Sequence, residues 1–239
     1  MSLAPYYNSD ENSIEIGIDE VGRGPMFGRV YCAAVILPKD DSFQHNLMKD
    51  SKKFHSKKKI ETAAEYIKNN ALEYSIAFMD EKVIDKDNIK SATYLAMHKA
   101  IKELLNSIGF FEESFNNSNN KYSNKTFTIL VDGNDFKPFT YLDLKEEIIK
   151  EIPCQCIIGG DNKYTAIAAA SILAKVERDN YIQDLCKEYP KLDEYYDLSK
   201  NKGYGTAKHM DGIKKYGITK WHRKSFGLCK ESNEIDISI

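Results

Sequence analysis

The chain has 239 residues, 34 Lys and Arg against 36 Asp and Glu, a formal net charge of −2 and 42% hydrophobic residues. That is the balance of a soluble globular protein with material for one large core or two small ones. The uncharged stretch 164–174, 11 residues long, falls well short of the roughly 20 needed to cross a bilayer. With a polar, acidic start that lacks a secretory pattern, membrane and secreted proteins are not expected and a cytoplasmic one is.

Ile14, Ile16 and Ile18 alternate with Glu15 and Gly17, a strand pattern that ends at Asp19-Glu20. The turn Gly22-Arg-Gly-Pro25 breaks it, and residues 30–37 resume as a more deeply buried strand, which predicts a hairpin. Residues 57–70 read as a helix, 72–79 as a strand and 91–108 as a helix with an apolar stripe from Ala92 to Leu105. Residues 116–124 hold five asparagines in nine positions and predict a flexible surface insertion spanning about residues 112–125. A strand over 127–132, a helix over 142–150, a strand over 154–158 and a long alanine-rich helix over 164–189 follow. Shorter helices are expected at 192–198 and 207–216, and the acidic tail 231–239 is expected to fray. A hairpin followed by alternating strands and helices implies an α/β domain over 14–190 with a mixed sheet, carrying a helical C-terminal appendage over 191–230.

Five cysteines and five histidines show no zinc-ligand spacing, so reduced thiols are expected and zinc is not. The near-neutral charge is unevenly spread. Between Ser199 and Lys230 nine basic residues face one acid, Asp211, a local charge of +8 interleaved with Tyr204, Tyr216, Trp221 and Phe226. Lysines that neutralise phosphates beside rings that stack are how a neutral protein acquires a nucleic-acid face. A second basic run places five lysines between Lys52 and Lys59.

Acids fall at strand ends: Asp19 and Glu20 after the first strand, Asp132 after a later one, and Asp161 after the Gly159-Gly160 turn. In α/β sheets the C-terminal ends of neighbouring strands open onto one crevice. Four carboxylates there raise one another's pKa unless cations compensate, and hard divalent ions with oxygen ligands, Mg²⁺ or Mn²⁺, are the natural partners. Two such ions are able to activate a water and stabilise the leaving oxygen of a phosphodiester.

Gly17-Ile-Asp-Glu-Val-Gly-Arg-Gly-Pro25, Asp50-Ser-Lys-Lys53, Val131-Asp-Gly-Asn134, Gly160-Asp161, Ile167-Ala-Ala-Ala-Ser-Ile-Leu-Ala-Lys-Val176, Lys202-Gly-Tyr-Gly-Thr206 and His222-Arg-Lys-Ser-Phe226 follow one another in the order seen in type 2 ribonucleases H. The chain resembles ribonuclease HII from about residue 14 to 226, in its prokaryotic, monomeric form. The resemblance implies an RNase H-like mixed β-sheet flanked by helices, and metal-dependent cleavage of the RNA strand of RNA–DNA hybrids. It also implies incision 5′ of a ribonucleotide embedded in duplex DNA, leaving 5′-phosphate and 3′-hydroxyl ends.

Carried over by motif, Asp19, Glu20, Asp132 and Asp161 are the catalytic, metal-binding carboxylates. The resemblance implies that Gly22, Arg23 and Gly24 would contact the ribose 2′-OH and that Tyr204 would stack on the neighbouring deoxyribose. Lys52 holds phosphate, while Ser171, Lys175 and Arg178, at i, i+4 and i+7 on one helix face, are expected along the duplex backbone. The competing readings are a DNA junction nuclease, which needs no 2′-OH reader, and a catalytically silent hybrid-binding module.

Overall fold

Ile16 and Ile18 are fully buried because their strand runs through the middle of a five-stranded mixed sheet, in the order β3-β2-β1-β4-β7. The computed structural model describes residues 2–112, 115, 120–143 and 145–237. Its strands are β1 (Ser13–Val21), β2 (Val30–Ile36), β3 (Glu73–Met79), β4 (Thr126–Asp132), β5 (Phe139–Asp143), β6 (Ile148–Ile152) and β7 (Cys154–Ile157). Its helices are α1 (Lys57–Asn70), α2 (Glu81–Ser107), α3 (Thr165–Glu188), α4 (Lys191–Tyr196), α5 (Leu198–Asn201) and α6 (Ala207–Tyr216).

The described residues group into two compact units: those within 1–20, 32–77 and 97–174, and those within 21–31, 78–96 and 175–239. The first unit carries the sheet. Strand β1 pairs in parallel with β4, its last registered pair being Ile18 with Val131, so the next residue on each strand is an aspartate, Asp19 and Asp132. Strand β7 pairs in parallel with β4 on the other side, Asp132 level with Ile157. Parallel pairing brings the C-terminal ends of these strands to one edge. The second unit is built on Phe27, Ile182, Leu192, Tyr196, Leu198 and Ile213, all essentially inaccessible to solvent.

Four sequence expectations are corrected. Residues 142–150 are not helical: β5 and β6 form an antiparallel hairpin of their own, Phe139 opposite Ile152. In the Asn-rich segment, residues 116–119 lie outside the described residues, but Tyr122 is buried and packs against Phe127, so that part is anchored by an aromatic side chain. The acidic tail does not fray as far as Ile237. Ile218 N–H donates to Asn233 O and Ile235 N–H to Ile218 O, while Ile237 is buried in the second unit's core. The helix expected from residue 91 starts earlier, at Glu81, and is interrupted by Asn88 at φ 65°. Among the described residues no helix is long and apolar enough to cross a membrane.

Candidate active site

Because β1 and β4 run in register, Asp19 and Asp132 leave their strands side by side, and the short turn after β7 delivers Asp161 to the same place. One carboxylate oxygen from each of the three lies within 4.8 Å of the others. The chain holds this set with its own amides and hydroxyls. Asp132 Oδ1 accepts from the N–H of Gly160 at 2.6 Å and of Asp161 at 3.4 Å. Asp19 Oδ1 accepts from the Glu20 N–H at 2.7 Å and Asp161 Oδ1 from Asn162 Nδ2 at 3.0 Å. Glu20, half-buried, does not join the tight set: successive strand residues point to opposite faces.

The electrostatics favour a cation among these carboxylates. Burial raises the Asp19 pKa well above the usual carboxylate value, the charges of Glu20 and Asp132 raise it further, and a hydrogen bond from Ser171 opposes them. Asp161 is raised by burial, then by Asp132 and Asp50, against the pull of Lys52. Three oxygen donors in one buried, mutually repelling group fit a hard divalent ion, which would replace this repulsion with attraction. Asp19, Asp132 and Asp161 are the residues that would hold it.

Lys52 is the cation nearest this set in the first unit's ion pairs, its Nζ 3.7 Å from Asp161 Oδ2 with a side chain 80% exposed. Asp50 caps the short turn beneath it by accepting from the Lys52 N–H at 2.9 Å, and its other oxygen accepts from Asn162 Nδ2. The motif Asp50-Ser-Lys-Lys53 is therefore a lysine-presenting turn fastened to the Asp161 segment.

The helix face expected along a duplex is turned inward instead. Ser171 is 2% exposed; its hydroxyl shares a hydrogen bond with Ser51 Oγ at 2.9 Å and donates to Asp19, so it supports a carboxylate rather than a phosphate. Arg178 is fully buried and donates to Phe27 O and Arg29 O. Lys175 is half-buried, its Nζ 2.6 Å from Asp179.

In the second unit, Gly22 stands at φ 100°, and a Cβ on it would lie 2.3 Å from Arg178 Nε, so both conformation and space require glycine there. Arg23 and Gly24 are exposed. A Cβ on Gly24 would lie 3.5 Å from Tyr204 Cε1, which sets the half-exposed Tyr204 ring beside this loop. The +8 segment is less bare than its composition suggests: Lys200 and Lys208 share Asp197, Lys224 meets Glu234, and Arg223 is fully buried. Arg223 is the residue the sequence reading missed, since a buried arginine and a phosphate-binding one look alike in a string. The signal available was its place in the motif His222-Arg-Lys-Ser-Phe226.

Comparison with known proteins agrees with this geometry. The Ribonuclease HII family model matches residues 16–229. The chain is 40% identical over 226 residues to Ribonuclease HII of Bacteroides thetaiotaomicron, covering 95% of this chain and 94% of that one. It is 37% identical to that of Phocaeicola vulgatus, covering 98% of each. Among solved structures, ribonuclease H2 from Pyrococcus horikoshii shares the fold at a TM-score of 0.65 and 22% identity, covering 91% of this chain and 96% of that one. Bst-RNase HIII in complex with Mn²⁺ does so at 0.56 and 17%, covering 85% and 70%. With an aspartate set suited to divalent metal at the sheet edge and this likeness along nearly its whole length, the chain belongs to the ribonuclease HII family, metal-dependent hydrolases of RNA in RNA–DNA hybrids.

Proposed function

We propose that this enzyme incises duplex DNA on the 5′ side of embedded ribonucleotides, as well as cutting longer hybrids, and leaves 5′-phosphate and 3′-hydroxyl ends. The observation that carries the reading is the pairing in the second unit of the exposed Arg23-Gly24 turn with the Tyr204 ring. A backbone edge with glycine on either side of Arg23 is suited to a 2′-OH, the group that separates RNA from DNA, and a ring beside it is suited to the adjacent deoxyribose. A nuclease of all-DNA junctions has no use for this pair.

Asp19, Asp132 and Asp161 would hold the divalent ions, two Mg²⁺ or Mn²⁺, with Glu20 adding its charge from beside Asp19, and the ions would supply water activation and charge neutralisation at the phosphate. Lys52 meets a phosphate oxygen, and its separation from Asp161 lets it exchange one anion for the other. Ser171 keeps Asp19 oriented and favours its ionised form. Gly22, Arg23 and Gly24 read the ribose, Tyr204 reads the following sugar, and exposed lysines of residues 191–230 outside the Asp197 and Glu234 pairs, Lys215 and Lys220 among them, track the backbone. The enzyme works as a monomer in the cytoplasm, where its five thiols stay reduced.

A gel assay on three end-labelled duplexes (all-DNA, one ribonucleotide, and a full RNA–DNA hybrid) with Mg²⁺, Mn²⁺ or EDTA tests this. Metal-dependent incision 5′ of the single ribonucleotide, with all-DNA intact, is the expected result. Cutting of the hybrid alone would remove the junction-reading role, and cutting of all-DNA would overturn the 2′-OH reading.

A further inference from the structure

We propose that the adjacent buried residues His222 and Arg223 position the ribose-reading apparatus, Arg223 by shaping the loop of residues 22–28 and His222, through His209, by fixing Tyr204. The proposal rests on the reading of that loop and Tyr204 as the ribose readers.

Arg223 is fully buried, and among the described residues no carboxylate lies within ion-pair distance of it. A buried guanidinium must still have its donors satisfied, and here one loop satisfies them. Nη2 donates to Gly22 O at 2.6 Å, Nη1 to Arg23 O at 3.0 Å and Pro25 O at 2.7 Å, and Nε to Gly28 O at 2.8 Å. Its backbone N–H takes Met26 O at 2.8 Å. Arg178 takes the carbonyl that lies between, Phe27 O, and then Arg29 O. From Gly22 to Arg29, two arginines thus hold every carbonyl but that of Gly24.

The consequence lies on the other edge of the peptide planes. A trans peptide carries its C=O and N–H on opposite sides, and no peptide bond described here is cis. With the Gly22 and Arg23 carbonyls drawn onto Arg223, the N–H groups of Arg23 and Gly24 are directed away from it. Those are the exposed residues of the loop. Arg223 therefore decides which edge of the loop a ribose hydroxyl meets. A lysine, a point charge without the planar fork, cannot hold four carbonyls in this arrangement.

The second arm is a hydrogen-bond line whose direction is set by its ends. Thr219 N–H donates to His222 Nδ1 at 3.0 Å, so the proton of neutral His222 is on Nε2. That atom is 3.1 Å from His209 Nε2, which must accept, and the His209 proton is therefore on Nδ1. From there it is donated to the backbone oxygen of Tyr204 at 3.0 Å. Both histidines are fully buried, and the line ends on the main chain of the residue whose ring lies beside Gly24. Further backbone bonds close the frame: Met26 N–H to Gly203 O and Gly28 N–H to Trp221 O.

The test uses the full chain with Arg223→Lys, His209→Leu and His209→Asn, and it compares kcat and KM on the single-ribonucleotide duplex and on the full hybrid, with a thermal melt of each variant. Displacing a reacting group slightly is enough to cost an order of magnitude or more, so Arg223→Lys is expected to lower kcat about tenfold or more on both substrates, with KM nearly unchanged. His209→Leu should lower cutting of the single-ribonucleotide duplex about tenfold relative to the hybrid. His209→Asn, which keeps a donor near the Nδ1 position, should restore that ratio.

Partial unfolding lowers both substrates equally and leaves the ratio alone. An unchanged ratio in folded His209→Leu, or failure of the asparagine to restore it, overturns the Tyr204 arm. An unchanged kcat in Arg223→Lys overturns the loop arm, and should that variant not fold, the His209 pair decides the proposal. A wild-type enzyme that ignores a single ribonucleotide would instead sink the ribose reading beneath it.

Discussion

Gly17 on β1 lies against the main chain of Ala166 at the start of α3, so close that a Cβ there would come within 2.3 Å of the Ala166 carbonyl carbon and 2.7 Å of Ile167 N. Both neighbours are backbone, so nothing flexible is able to give way. The contact sets the distance between the long helix and the strand that carries Asp19 two residues later.

Gly17→Ala is therefore expected to destabilise the protein by about 1–3 kcal/mol or more, as overpacked sites do. For a chain of this size that is a fall in Tm of about 2–4 °C per kcal/mol. Activity should fall further than stability, because the strand must shift and carry Asp19 with it. A variant with wild-type Tm and rate would show that α3 is free to move off the sheet.

Much of this region is legible in the sequence, and the reasons are physical. The strand that carries Asp19 shows as alternation because Ile16 and Ile18 are fully buried while Gly17 between them meets the Ala166 main chain, and the turn after it shows as glycines because Gly22 needs φ 100°. The β5–β6 hairpin was not legible. Its strands pair only with each other, and their buried residues, Phe139 and Ile152, lie outside the stretch from Leu142 to Lys150, where Ile149 is 75% exposed, so little marks a two-residue period there and Leu142 to Lys150 mimics a helix. The inward face of α3 was misread for a related cause: Ser171 and Arg178 are polar residues buried among polar partners, which spacing alone does not separate from solvent-facing ones.

Asp132→Asn isolates the charge of the central carboxylate. Its amide oxygen is still able to accept from Gly160 N–H, a bond of 2.6 Å in the wild type, so the turn before Asp161 should survive. Expected outcomes are loss of cleavage, loss of Mn²⁺ binding by calorimetry, and duplex affinity within a few-fold of wild type. Substantial cleavage would mean that this carboxylate is not a ligand.

Salt dependence separates the lysines that reach phosphate from those already paired. Each phosphate neutralised contributes about 0.9 to the slope of log K against log salt on duplex DNA. Lys52→Gln should lower that slope by roughly this amount. Lys224→Gln should leave it nearly unchanged, because its ammonium is 2.6 Å from Glu234. Equal slopes for all three proteins would remove Lys52 from the phosphate contacts.

The buried histidine pair is expected to make the second unit acid-labile. Burial lowers the pKa of His209; burial and then the neighbouring His209 lower that of His222 well below its ordinary value. In the unfolded chain both return to about 6.5. Below that pH the unfolded state binds protons that the native state refuses, so stability is fully present above about pH 6.5 and is lost as the pH falls, by up to roughly 1.4 kcal/mol per pH unit for each histidine. Asp19 and Asp161, whose pKa values are raised, act in the opposite sense, since their repulsion is relieved as they protonate. Urea unfolding of the metal-free enzyme between about pH 7 and 5 should show falling stability, and His222→Gln should flatten the fall. A variant with the wild-type slope would assign the acid sensitivity to groups other than this pair.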